Sequence, residues 1–545
     1  MLLRTSKVTG VRSLLDRLLQ PARDVLILAR AGVVRPMRPD RLLGVLDGYL
    51  RWDLTVPWGY AMGAARHPDR AAIIDELGEL TFAQVDERTT RLANGLAGLG
   101  VRPGSKVAVL CRNHRGVIET LTACVKLGAH TVLLNTGLSA TQLGVVLREQ
   151  DVAVVVADTE FGPQLAQAPA EVRTVTAWVD DEARGTTLRG LIEDSPATPL
   201  PRRPPRGRLI VLTSGTTGAP KGARRPEPTG LSPAAALLSR IPLREGEIAL
   251  VPSPLFHTWG LAAFQLGLVL GATLVLQRKF EPAETLAAAQ RHRCTSLFVV
   301  PVMLQRILEL PEAERARYDL SALRVIASSG SALPAPAATR CLREFGPVLY
   351  NLYGTTEVSW VSIAGPADLG VSPSTAGYPP RGTRLAILDE HGSPVPVGET
   401  GRIFVANEFL FEGYTNGTGK EVRGGLMSTG DLGYHDDSGL LFVAGRDDEM
   451  IVSGGENVYP REVEDLLAAV PEVREVAVVG VADEEFGQRL AAYVVPTAPG
   501  ALDAEAVREH VRAHLARFSV PRDVVFLDAL PRNATGKVLK RQLGR

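Results

Sequence analysis

Cysteine is scarce: four occur in 545 residues, at positions 111, 124, 294 and 341, and none stands in a Cys-x-x-Cys pair. That excludes a zinc ribbon or dithiol redox centre, and the density is far below that of a disulfide scaffold, so reduced thiols are expected. Net charge is missing too. Sixty Lys+Arg offset sixty Asp+Glu, so no global field draws nucleic acid or another polyanion and any anion site must be local. No apolar run approaches the ~18 residues of a membrane-spanning helix. What is present, 45% hydrophobic and 22% charged residues, has globular composition, and the length predicts two to four domains of ~100–200 residues.

The start of the chain has no uninterrupted apolar core of a secretory signal, because Arg4, Lys7, Arg12 and Arg17 break it up. Val11, Leu14, Leu15, Leu18 and Leu19 instead follow one helical face, and residues 1–41 hold nine Lys/Arg against three Asp. This segment reads either as a helix packed on its own domain or as a patch resting on an anionic membrane surface. The expected location is the cytoplasm, with peripheral contact at the inner membrane face as the second reading.

From about residue 70 apolar runs alternate with helical patterns: VAVL (107–110), TVLLN (131–135), VAVVVA (152–157), IVLT (210–213), IALV (248–251), TLVLQ (273–277) and SLFVV (296–300). Val/Leu/Ile runs without polar alternation suit strands covered on both faces, which predicts mostly parallel sheets in an α/β core. The stretch 196–207 is rich in proline and arginine and reads as an extended surface connection. After Pro379 the pattern becomes strand, Gly/Pro turn, strand, hence a small antiparallel β unit. Beyond Gly445 two helical and two strand patterns form a block of about a hundred residues, enough for a separate α+β domain. The expected boundaries are an extension over 1–55, a large domain over 56–445 and a small mobile domain over 446–545.

The strand pattern IVLT leads into Thr213-Ser214-Gly215-Thr216-Thr217-Gly218-Ala219-Pro220-Lys221-Gly222. Glycines admit close backbone N–H groups, hydroxyls donate, and the lysine offsets charge, which is how a polyphosphate is cradled. A Walker A loop would need Gly-Lys-Ser/Thr opening a helix; here Pro220 precedes Lys221 and Gly222 follows it, so a P-loop ATPase is disfavoured. On composition alone, a Gly/Thr surface turn is the competing reading.

Further along stand PLFHTWG (254–260), SSGSALP (328–334), YGTTE (353–357), STGDLGY (428–434), GRDDEMIVSGGENVYPREVE (445–464) and PRNATGKVLK (531–540). Together with TSGTTGAPKG, in this order, they resemble the adenylate-forming superfamily: acyl-CoA synthetases, peptide-synthetase adenylation domains and beetle luciferases. The resemblance runs from about residue 60 to the end. It implies ATP, Mg²⁺ and coenzyme A as reactants, with carboxylate attack on the α-phosphorus followed by thiol attack on the acyl-adenylate. Two anions must meet, so fixed cations and donors are required around the developing charge.

By that resemblance Lys537 bridges carboxylate and phosphate. Glu357 and the Thr213 hydroxyl hold Mg²⁺, a hard cation that prefers oxygen. Tyr353 lies against the adenine, with Gly354 and Thr355 beside it, while groups around Ser329, Gly330, Ser331 and Asn351 read the base edge. Asp431 accepts the ribose hydroxyls and Arg446 adds a ribose and phosphate contact. Asp448 is the hinge about which the last domain rotates, and Gly454-Gly455 leave room for the pantetheine arm. His257 lines the acyl site near the thiol channel, although a histidine between Phe256 and Trp259 also reads as an ordinary core residue. Each of these positions taken singly reads equally as a loop or surface residue.

The implied activity is an ATP-dependent acyl-CoA synthetase acting on a small-molecule carboxylic acid, expected to be a medium- or long-chain fatty acid. The alternatives are an adenylating enzyme that loads a separate carrier protein, since no L-G-G-x-S carrier motif is present, and a non-catalytic ligand-binding relative.

Overall fold

The computed structural model describes residues 20–180, 185–213, 221–225, 230–415, 417–453, 456–483 and 487–544. The amphipathic pattern at 11–19, the loop residues Ser214, Gly215, Thr216, Thr217 and Gly218, and the pair Gly454-Gly455 lie outside the described residues.

The apolar runs become strands, as the sequence predicts, in two stacked sheets. One has eight strands, ordered Ser362–Ala364, Leu349–Tyr353, Val325–Ser328, Ser296–Val299, Ile248–Val251, Thr273–Leu276, Ala71–Asp75 and Gly78–Thr81. The six inner strands are parallel and each edge strand is antiparallel. The second has six, ordered Arg173–Thr176, Val152–Ala157, Lys106–Leu110, His130–Leu133, Leu209–Thr213 and Lys221–Arg225, parallel except for the last. Apolar residues of both, among them Ile73, Leu274 and Phe298 from one and Val107, Val109 and Val211 from the other, share one core with the helices between them. Burial on both faces is why these strands lack polar alternation.

The helices carry their own punctuation. Thr81 and Ser139 close capping boxes with Gln84 and Gln142, and Gly128 ends helix Arg115–Leu127 at φ 71, a left-handed backbone that glycine adopts without Cβ strain. Strands Arg384–Leu388, Gly401–Ala406, Leu426–His435, Val422–Arg423 and Leu441–Arg446 form an antiparallel sheet. A last sheet, Ile451–Ser453, Glu456–Val458, Val473–Asp483, Gly487–Pro496 and Asp523–Phe526, is backed by helices Pro460–Ala468 and Ala504–His514 around its own core of Val463, Leu467, Val478, Val494 and Val511. The fold is therefore α/β with a large N-terminal part of stacked, mostly parallel sheets, a small β unit and a small α+β C-terminal part. No helix among the described residues is long and apolar enough to cross a membrane.

Candidate active site

One cavity of about 500 Å³ gathers residues from all of these parts. Its polar end receives Ser329 and Gly330 from the end of a parallel strand, Gly354, Thr355 and Glu357 from the next, Tyr414, Lys420, Asp431 and Arg446 from the small β unit, and Asn533, Thr535 and Lys537 from the C-terminal tail. Sites at the carboxyl ends of parallel strands are where an open α/β sheet leaves a crevice.

Asp431 sits in a strand with Gly430 at φ 81 just before it, and is almost wholly buried. The Tyr353 hydroxyl donates to its Oδ2 and Arg446 Nη1 stands 3.6 Å from its Oδ1. Burial pushes the Asp431 pKa up, and the Tyr353 bond with the charges of Arg446, Lys537 and Lys420 offsets only part of that. Burial and the neighbouring carboxylate likewise push the Tyr353 phenol well above its ordinary range, which keeps it protonated as a donor. Arg446 also binds Asp448 Oδ1 at 3.0 Å, so the position expected to be the hinge is tied to a residue of the cavity wall.

Glu357 accepts the Tyr414 hydroxyl on Oε1, and its other oxygen has no partner among the described residues. A carboxylate oxygen left on the cavity wall is a hard donor of the kind Mg²⁺ prefers, so Glu357 fits such an ion. Thr213 ends a strand paired with the strand that starts at Lys221. The loop holding these groups bends sharply: Gly354 lies so close to Ser359 that a Cβ would come 2.1 Å from the Ser359 carbonyl oxygen, and Ser359 itself has φ 65.

Lys537 is held in a hairpin built by Asn533. The Asn533 Oδ1 accepts from Thr535 N, Thr535 Oγ1 and Lys537 N, the Arg532 guanidinium closes on Gly536 O at 2.6 Å, and Arg532 pairs with Glu475 at 3.0 Å. The hairpin docks on the large N-terminal part. A Cβ on Gly536, whose φ is 82, would come 2.4 Å from Val302 Cγ1, and one on Gly137 would meet Ala534 Cβ at 3.3 Å.

The other end of the cavity is apolar. Leu54, Val56, Trp58 and Gly59 line it from one side, Leu121 and Val125 from a second, and Leu231, Ala234 and Leu237 from a third. Helix Thr258–Val269 contributes eight of its twelve residues, Thr258, Ala262, Gln265 and Val269 along one stripe and Trp259, Leu261, Leu266 and Leu268 on either side of it. His257 precedes this helix and lines the cavity. Gln265 is the lone amide of an apolar helix and has no hydrogen-bond partner among the described residues.

Several expected contributors stand elsewhere. Ser331 is exposed and does not line the cavity. Tyr353 also lies outside the lining, its hydroxyl engaged by Asp431. Asn351 sits on a strand outside the lining with its Oδ1 buried and unpartnered. The sequence analysis missed Tyr414, Lys420, Asn533 and Gln265. Lys420 closes the stretch GTGK (417–420), whose composition repeats that of the phosphate loop; Asn533 had an Asx-turn signal in its own motif.

A second buried polar cluster, Cys111, His114 and Asp158, lies outside this cavity. His114 Nε2 faces Asp158 Oδ1 at 2.8 Å and its Nδ1 accepts the Gly116 N–H at the start of a helix. Both ring nitrogens are thus engaged, and burial pushes the Cys111 thiol well up, so the cluster fixes a helix start and leaves a metal no free ligand. Burial also holds Cys124, Cys294 and Cys341 at about 12, as unreactive thiols.

The AMP-binding enzyme family matches residues 61–415, and the AMP-binding enzyme C-terminal domain matches 462–537. The chain is 36% identical over 472 residues to a feruloyl-CoA synthase of Amycolatopsis sp, covering 86% of this chain and 94% of that one. It is 35% identical over 498 residues to an indoleacetate–CoA ligase of Aromatoleum aromaticum, covering 88% and 95%. Among solved structures it resembles the amide bond synthetase McbA of Marinactinospora thermotolerans, with TM-score 0.80, 29% identity and coverage of 90% and 99%. It also resembles the o-succinylbenzoate CoA synthetase MenE of Bacillus subtilis in complex with its acyl-adenylate intermediate, with TM-score 0.77, 29% identity and coverage of 89% and 98%.

Proposed function

The chain belongs to the AMP-binding enzyme family, and from that premise we propose that it is an acyl-CoA synthetase that activates a carboxylic acid with ATP and passes the acyl group to coenzyme A. The observation that carries this is a single cavity whose one end collects Lys537, Lys420, Arg446, Asp431 and Glu357 while the other is walled by aliphatic side chains. In the first step a carboxylate oxygen bonds to the α-phosphorus and the bond to the departing pyrophosphate breaks. In the second, the thiol gives its proton to solvent, the thiolate sulfur bonds to the acyl carbon, the C–O bond of the acyl–phosphate anhydride breaks, and AMP leaves. Lys537, on its docked hairpin, offsets the repulsion between carboxylate and phosphate. Asp431 takes the ribose hydroxyls, oriented by Tyr353, and Arg446 meets ribose and phosphate. A magnesium ion held by Glu357 would supply further charge neutralisation, with Thr213 the second ligand expected from the sequence. Rotation about Asp448 would then bring Gly454-Gly455 to the pantetheine arm.

The acid has an apolar body. Two similar proteins are named for acids that carry an aromatic ring, feruloyl and indoleacetate, and the amide of Gln265 on a mostly apolar wall suits a ring bearing a hydrogen-bonding substituent. A medium- or long-chain fatty acid is the second reading, favoured by the aliphatic majority of that wall. A panel of arylpropenoic, arylacetic and fatty acids, assayed for pyrophosphate release and for consumption of free coenzyme A, separates them. An oxygenated aromatic acid should give the highest kcat/KM. Failure of every acid to release pyrophosphate would sink the activity, and adenylate without thioester would hand the acyl group to a carrier protein or an amine instead.

A further inference from the structure

Helix Pro39–Trp52 is packed inside out. Gly44, Gly48 and Trp52, one face at i, i+4 and i+8, turn toward helix Val56–Arg66, where a Cβ on Gly44 would meet Ala65 Cβ at 2.8 Å and one on Gly48 would meet Ala61 Cβ at 3.1 Å. The opposite face carries Leu42, Leu43, Leu46, Tyr49 and Leu50, and these five are 38–67% exposed. An ordinary surface helix buries its large apolar residues; this one buries its glycines and offers a leucine stripe to its surroundings.

Arginines border the stripe. The Pro/Arg-rich connection is clamped along this helix: Arg203 N donates to Arg51 O at 2.7 Å, Arg202 pairs with Asp47 at 3.2 Å and Arg206 with Asp53 at 2.5 Å. Among the described residues, Asp47 is shared by Arg51 and Arg202 and Asp53 is taken by Arg206, while Arg203 beside them is exposed and has no ion pair. The surface is continuous with the acyl end of the cavity, because Leu54, Val56 and Trp58 directly after the helix, and Gly207 and Arg208 at the end of the clamped connection, line it. We propose that this face, the leucine stripe of residues 42–50 with the arginines of 202–206 beside it, docks on an anionic lipid surface, leucines among the acyl chains and guanidiniums at the phosphates. The lipid contact lies beside residues that line the acyl end of the cavity, and the proposal holds whichever acid is activated.

The full chain should co-sediment with vesicles of phosphatidylglycerol and phosphatidylcholine, more weakly with phosphatidylcholine alone, and less in high salt. Leu43→Glu with Leu46→Glu, both on the exposed face, should lower vesicle affinity about tenfold or more. Arg202→Gln with Arg203→Gln should erase the preference for anionic vesicles. Turnover of a water-soluble acid should be unchanged in both pairs, since none of the four residues lines the cavity. No binding by the full chain, or undiminished binding by the leucine pair, overturns the proposal. So does a dimer in analytical ultracentrifugation that the leucine pair dissociates, which would assign the face to a second copy.

Discussion

The two ends of the cavity are built on opposite principles. At the nucleotide end each group is fixed by named polar partners: Tyr353 and Arg446 on Asp431, Tyr414 on Glu357, Asn533 around the Lys537 turn. At the acyl end shape comes from apolar packing between helix Thr258–Val269, apolar but for Thr258 and Gln265, and residues of other helices such as Leu121, Val125, Ala234 and Leu237. Directional bonds need particular residues at particular spacings. Packing accepts many combinations of similar volume. Under the proposed function, reaction chemistry belongs to the first end and choice of acid to the second, so variants at the first should alter ATP-dependent steps while variants at the second should change the acid alone.

The largest effect is expected from Lys537→Ala, which under the proposed function removes the cation placed between the reacting carboxylate and phosphate. ATP–pyrophosphate exchange should fall by roughly 10²–10³ while nucleotide binding measured by calorimetry survives; unchanged exchange would break the comparison at its centre. Asp431→Asn comes next. Loss of a charged acceptor for the ribose hydroxyls should raise the KM for ATP by roughly ten- to a hundredfold, leaving the KM for the acid alone. Because burial raises the Asp431 pKa, its proton returns at a higher pH than for an ordinary carboxylate. The KM for ATP should accordingly rise as pH falls, starting above the usual carboxylate range, and the Asp431→Asn enzyme should lack that rise.

Gly536→Ala tests the docking of the hairpin. Its φ of 82 and the 2.4 Å approach to Val302 Cγ1 mean the added methyl must push the hairpin off the large N-terminal part. Adenylate formation should drop about tenfold, and thioester formation from supplied acyl-adenylate should be spared; equal loss in both half-reactions would point to misfolding. The smallest effect belongs to the other end. Gln265→Leu should change the KM for an oxygenated aromatic acid about fivefold with the KM for ATP constant, and should be neutral or favourable for a fatty acid.

Asp431 and Lys537, which line the polar end, were legible in the sequence, because a Gly-Asp turn and a Gly-Lys turn each need special residues. Lys420 was not, since its place beside Asp431 depends on Gly430 leaving room: a Cβ there would meet Lys420 Nζ at 3.1 Å. Tyr353 shows the same limit. Its motif marks an aromatic near the nucleotide, but only the fold shows that its hydroxyl is committed to Asp431. The helix at 258–269 was foreseeable from its apolar run, yet no periodicity distinguishes the side that lines the cavity from the side packed in the core, because apolar residues stand on every side.

By itself the sequence determined the order of strands and helices, through unbroken β-branched runs and capping residues, and the chemical class of the nucleotide end, through residues whose backbone freedom or charge has few substitutes. Only the tertiary structure decided which groups meet. Cys111, His114 and Asp158 became a sealed helix start, Gly536 a docking point against Val302, and the leucines of 42–50 an outward face. The physical reason is that burial and proximity between residues distant in the chain arise when the sheets stack and the C-terminal hairpin closes on them, and no local pattern encodes that distance.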